Sequence, residues 1–150
     1  MKTVIQRVSE ASVSITGEKV ADIQQGLLVL LGIENADTQA DIVWLCRKIA
    51  NLRIFNDETG LMNLSVKDIN GQVIVVSQFT LHASTKKGNR PSFIKAAKPD
   101  VAIPLYEKFV EEMQSFMKTK VQTGEFGANM QISLINDGPV TIVIDSQVKV

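Results

Sequence analysis

"GLLVLLGI", residues 26 to 33, is an apolar run bracketed by Gly26 and Gly32 and carrying no polar residue at alternate positions. It is too short for a core helix, and lacks the alternation of a strand with one wet face. It reads as a strand buried on both faces, central in its sheet. "QVIVVSQFTLH", residues 72 to 82, repeats the pattern: Val73 to Val76 are β-prone and apolar in succession, which predicts a second central strand ending near Ser77 to Thr80.

Outward from these two runs, "KTVIQRVSEASVSI" alternates with period two around Val4 and Val8, and again at Val13 and Ile15, which predicts two short strands. Val20 to Ile23 adds another. Asp37 or Thr38 can cap a helix over roughly 38 to 51, because Ile42, Leu45, Cys46, Ile49 and Leu52 recur at helical spacing. Trp44 lies beside that stripe, as partly buried packing. "LRIF", the turn "NDETG" and "MNL" suggest a brief strand pair, and Asn70-Gly71 marks a turn. Residues 82 to 98 lose all periodicity and read as a long loop. Val101, Leu105, Phe109, Met113, Phe116 and Met117 then form the stripe of a second helix, roughly 100 to 119, with Pro104 in its early turns. "ANMQISLIN" and "VTIVID" are the last two strands, separated at Asp137-Gly138-Pro139. This order predicts an α/β fold in which mixed, mostly antiparallel sheets form a sandwich or partly closed barrel with two main helices.

A chain of 150 residues supports one domain over 1–150. Its 45% apolar and 21% charged residues are ordinary for a globular protein. The charged, alternating start does not read as a signal peptide, and no apolar run approaches the ~18 residues of a membrane span, so a cytoplasmic location and no membrane partner are expected. Sixteen basic and sixteen acidic residues cancel, which argues against a broad phosphate-binding face but leaves contacts with a nucleic-acid end open. The basic residues crowd into "TKKGNRPSFIKAAK", a solvated loop or an anion-contacting one. One cysteine and one histidine offer no metal set and no cofactor motif. Cys46 reads as a small buried hydrophobe. His82 reads as a loop side chain, although a Ser77–His82 esterase pair can be drawn on paper. The remaining signal is "SQFTL", residues 77 to 81, where polar Ser77, Gln78 and Thr80 collect at the end of a buried strand. That is either a strand entering solvent or a site on a stiff scaffold.

"VVSQFTL" at 75 to 81, "KGNRPSF" at 87 to 93 and "NDGPVT" at 136 to 141, together with the opening "VIQRVSEASV" and "GLLVLLGI", resemble the D-aminoacyl-tRNA deacylase family from residue 4 to residue 144. Ser84 departs from the pattern, at a position where bacterial members often carry aspartate. The resemblance implies hydrolysis of the ester between a D-amino acid, or glycine, and the terminal adenosine of tRNA, by a homodimer with no metal or organic cofactor. It implies catalytic roles for Ser77, Gln78, Phe79 and Thr80, in RNA-assisted chemistry where the 2′-hydroxyl of the terminal ribose activates or orients water and the main-chain amides near Phe79 and Thr80 hold an oxyanion, with Thr80 as a nucleophile the lesser reading. It also implies Phe126 and Met130 lining the amino-acid or adenine side, and Gly138-Pro139 as a cis element that one subunit inserts into the other's site to exclude L side chains. Residues 86 to 98 become candidates for contacts near the RNA end. A non-catalytic module binding a tRNA end or an adenylate is the alternative that the residues leave open.

Overall fold

The structure is a computed structural model that describes residues 1–150. Strand β1, Lys2–Ile15, is its spine. The first half of β1 pairs antiparallel with β3, Gly26–Gly32, and the second half pairs with β2, Glu18–Ile23. Along its other edge β1 pairs antiparallel with β8, Gln131–Asp145. Parallel pairing then carries the sheet from β3 to β6, Gln72–Ser77, and on to β7, Gln122–Thr123. The sheet is therefore mixed, and it bends until β7 faces β2. There the Gln122 side chain takes the place of a strand: its Oε1 accepts from the Asp22 N–H at 2.8 Å and its Nε2 donates to the Asp22 carbonyl at 2.9 Å. That amide joins the two edges of a nearly closed barrel. A small hairpin, β4 (Phe55–Asn56) with β5 (Met62–Leu64), stands apart.

The two doubly buried strands divide two cores between them. Leu27, Val29 and Leu31 of β3 and Val73 and Val75 of β6 face the larger core. It is completed by the helices α1, Gln39–Asn51, and α2, Pro99–Phe116. Leu28, Ile74 and Val76 face inward and meet Val8, Val13 and Ile23 inside the barrel. Both faces of each strand are thus dry, which is why neither run alternates.

Helix α1 begins as its sequence requires: Thr38 is the N-cap, and the Asp41 carboxylate accepts from the Thr38 N–H at 2.8 Å. Ile42, Leu45, Cys46 and Ile49 are buried. The predicted stripe of α2 holds at Phe109, Met113 and Met117, but in the first turns it is rotated by about one residue. Ala102, Tyr106, Phe109 and Met113 are buried, Val101 is exposed, and Leu105 and Phe116 pack only at the margin. Pro104 falls on the exposed side, where water can satisfy the carbonyl it leaves without a donor.

Two strand assignments are corrected. Residues 2 to 15 form one strand, not two, because register shifts between Gln6 and Glu10 absorb the break in alternation without ending the ladder. Thr3 and Ile5, rather than Val4, are fully buried. Likewise, residues 131 to 145 form one strand through the Asp-Gly-Pro interruption. Thr141 pairs with Gln6 and Asn136 with Val8, so Asp137 to Val140 bulge outward opposite Arg7. No helix is long and apolar enough to cross a membrane.

Candidate active site

Beyond Ser77 the chain leaves β6 and tightens into a 3₁₀ turn over Phe79–His82. Two features seat that turn. The Gln78 N–H donates to the Leu31 carbonyl at 2.7 Å. Gly32 makes room for it: a Cβ there would lie 3.0 Å from both the Gln78 carbonyl oxygen and Leu81 Cβ, and 3.1 Å from His82 Cδ2. The glycine that closes the central apolar run is thus what lets the polar segment pack against the strand end.

The turn borders a cavity of about 300 Å³. Ser77, Gln78 and Phe79 form one side, Phe126 to Met130 another, and Leu31, Ile33, Ala97 and Ala102 the floor. The sequence-predicted residues Ser77, Gln78, Phe79, Phe126 and Met130 therefore meet around one space. Thr80 does not line it. Thr80 is exposed, and its hydroxyl accepts a hydrogen bond from Gln78 Nε2, an amide that cannot take a proton from it. The N–H groups of Phe79 and Thr80 open the 3₁₀ turn and have no partner within it. Phe126 is supported from below by Tyr106, whose ring meets it edge-on at 5.8 Å and whose hydroxyl donates to the Val75 carbonyl at 2.7 Å. Burial pushes the Tyr106 phenol up to about 12. No residue lining the cavity carries an ionisable side chain.

His82 is not a loop side chain. It is 2% exposed, with Nδ1 3.7 Å from Glu34 Oε2 and Nε2 without a partner, so it is engaged toward Glu34 instead of serving Ser77 as a base. Burial raises the Cys46 thiol well above its ordinary pKa, consistent with an inert core residue. The segment after His82 is less loose than its composition implies: Ser84 and Ser92 exchange both backbone hydrogen bonds, and the Ala97 N–H donates to the Ile33 carbonyl. No cluster of His, Cys, Asp or Glu could hold a metal ion.

Gly138 and Pro139 lie outside this chain's cavity lining, exposed on the β8 bulge, and the bond between them is cis. The bulge is held by two residues that the sequence reading missed. Arg7, 8% exposed, donates from Nε to the Asp137 carbonyl at 2.7 Å and from Nη1 to the Ile54 carbonyl at 2.6 Å. Asn136 closes the base of the bulge: its Oδ1 accepts from the Val140 N–H at 2.7 Å and its Nδ2 donates to the Val140 carbonyl at 3.1 Å. Gly138 has φ +151°, and a Cβ there would meet Val140 Cγ2 at 2.7 Å and Val140 N at 2.8 Å.

A family model described as D-Tyr-tRNA(Tyr) deacylase matches residues 4–145. The chain belongs to this deacylase family. It is 66% identical over 149 residues to the D-aminoacyl-tRNA deacylase of Flavobacterium psychrophilum, covering 99% of each chain. Among solved structures, a c-Myc DNA unwinding element binding protein superposes with TM-score 0.92 at 43% identity, covering 97% of this chain and 98% of that one. A probable eukaryotic D-amino acid tRNA deacylase superposes with TM-score 0.80 at 15% identity, covering 95% and 97%, and so shares the fold. In the deacylase chain described here, the only sequence signals for the two bulge-holding residues were indirect. Arg7 is a charged residue on the buried face of β1, and Asn136 directly precedes Asp-Gly-Pro.

Proposed function

We propose that this chain hydrolyses the ester joining a D-amino acid to the terminal adenosine of tRNA, releasing free amino acid and tRNA. The substrate class rests on the family match over residues 4–145, and the observation that bears on the mechanism is the cavity's composition. It is an apolar chamber with a polar main-chain turn on one side and no ionisable group on its walls. Such a site offers no protein acid, base or activated nucleophile, and Thr80 has only an amide beside it. This agrees with the mechanism the family resemblance implies, in which the RNA assists its own deacylation. The 2′-hydroxyl of the terminal ribose activates or orients water, and the Phe79 and Thr80 N–H groups hold the developing oxyanion. Ser77 and Gln78 shape the turn side of the chamber, while Phe126 and Met130 line its aminoacyl or adenine side.

Selection against L substrates is assigned to Gly138-Pro139. As the family resemblance implies, these residues act in the site of a second copy within a two-fold homodimer, and their position outside their own chain's cavity is compatible with that. The long edge strand β8, with Ile135 and Val143 exposed at 54% and 68%, supports that assembly. Backbone cannot rotate aside as a side chain can, so exclusion is steric and fixed. Glycine has no side chain to exclude, so glycyl-tRNA is also a substrate. The partner is the aminoacyl acceptor end, the work takes place in the cytoplasm, and no metal or organic cofactor takes part.

Incubation of the protein with D-tyrosyl-tRNA and L-tyrosyl-tRNA tests the function. Release of tyrosine from the D ester alone is expected. Release from neither, with tRNA bound, would make the chain a binding module instead.

A further inference from the structure

The cavity opens beside a second feature that the ester chemistry does not use. Phe79, which lines the cavity, meets Phe93 edge-to-face with ring centroids 5.1 Å apart and planes at 78°. Both rings are exposed, and the adjoining Ile94 is 89% exposed. Exposed aromatic and branched side chains side by side are costly unless something covers them. The segment that carries Phe93 also carries Lys86, Lys87, Arg90, Lys95 and Lys98, with no acidic residue anywhere from 83 to 99. None of these cations is in an ion pair. In a chain whose charges cancel overall, this segment carries five of the sixteen basic residues and no acidic one, beside the one exposed aromatic pair. The platform is also held in place, through the Ser84–Ser92 pairing and the Ala96 N–H donating to the Phe93 carbonyl at 3.0 Å.

We propose that Phe93 is a stacking platform for the unpaired base immediately preceding the terminal adenosine, with Arg90 and Lys95 taking the phosphates that flank it. The proposal rests on the reading above, in which the ester-bearing 3′ end enters the cavity. An aromatic face bordered by cations fits single-stranded nucleic acid, because every base has a face to stack while its backbone needs countercharge. Phe79 links the two regions: one ring borders the reacting end and supports the ring that takes the next base. A stack of this kind tolerates any base, so it sets affinity without selecting sequence.

The test uses an acceptor-stem RNA carrying D-tyrosine on its terminal adenosine through an amide, which binds without being cleaved. Dissociation constants are measured for the intact RNA and for one abasic at the penultimate position, with wild type, Phe93→Leu and Phe93→Trp. Leucine keeps an apolar contact on Phe79 but removes the aromatic face. Base removal is expected to weaken wild-type binding by about 5- to 30-fold, to weaken Phe93→Leu by less than about twofold, and to regain its full effect in Phe93→Trp. Wild type indifferent to the missing base, or Phe93→Leu as sensitive as wild type, overturns the proposal. Hydrolysis of the ester-linked RNA by wild type, run alongside, reports on the deacylase reading independently.

Discussion

Replacing Arg7 with methionine keeps an apolar stem in the core while removing the guanidinium that ties the β8 bulge to the body of the protein. Two charge-assisted hydrogen bonds disappear, to the Asp137 and Ile54 carbonyls. Bonds to charged groups contribute about 1.5–3 kcal/mol each. The Ile54 carbonyl belongs to a residue only 7% exposed and is left without its donor, whereas Asp137 is exposed and its carbonyl can be rehydrated. A total near 3 kcal/mol is therefore expected, and a domain of this size loses roughly 2–4 °C in Tm per kcal/mol, giving a fall of about 6–12 °C. The second readout is selectivity. With only Asn136 left to hold it, the bulge is no longer fixed, and the ratio of L- to D-tyrosyl-tRNA hydrolysis should rise on the order of tenfold, the equivalent of about 1.4 kcal/mol of lost discrimination. Hydrolysis of both esters by wild type and Arg7→Met, beside thermal unfolding, separates the outcomes. A lower Tm with unchanged selectivity would show that Arg7 serves stability alone, and that chiral exclusion does not depend on where the bulge is held.

Gly32→Ala places a Cβ against the Gln78–His82 segment, and the turn must retreat by a few tenths of an ångström. The expected result is a loss of kcat/KM on the order of tenfold with little change in tRNA affinity, and full activity would mean that the position of the turn is unimportant. Thr80→Ala removes a hydroxyl paired only with an amide, so deacylation should stay within roughly tenfold of wild type. Abolition of activity, with folding and RNA binding intact, would make Thr80 the nucleophile.

How much of this was legible depended on whether each feature was local. The runs 26–32 and 72–77 could be read as central strands because burial on both faces leaves its mark in every residue. Helix α1 was legible because cap, stripe and end lie within one segment. The α2 stripe was right at Phe109, Met113 and Met117 and off by one residue in the first turns, because Val101 and Leu105 are as apolar as Ala102 and Tyr106, and only the packing partners decide between them. Ser77 and Gln78 stood out locally as polar residues ending a buried strand, but Phe126 and Met130 came from motif resemblance, since nothing local joins Ser77 to Met130. The bulge was hidden for the opposite reason. Asp-Gly-Pro looks like a turn in any sequence, and its continuation as strand depends on Arg7, which lies 130 positions away and reaches the Asp137 carbonyl across the β1–β8 ladder. His82 looked like a loop residue because the 3₁₀ turn that buries it is itself seated by Gly32.

In the proposed mechanism, a cavity without ionisable groups leaves part of the chemistry to the RNA. The most direct test compares the rate of D-tyrosine release from tRNA ending in adenosine with the rate from tRNA ending in 2′-deoxyadenosine and esterified at the 3′ position, both at saturating substrate. If the 2′-hydroxyl supplies acid–base assistance, its removal should slow hydrolysis by at least about a hundredfold while binding changes little. Equal rates for the two substrates would place the catalytic group on the protein.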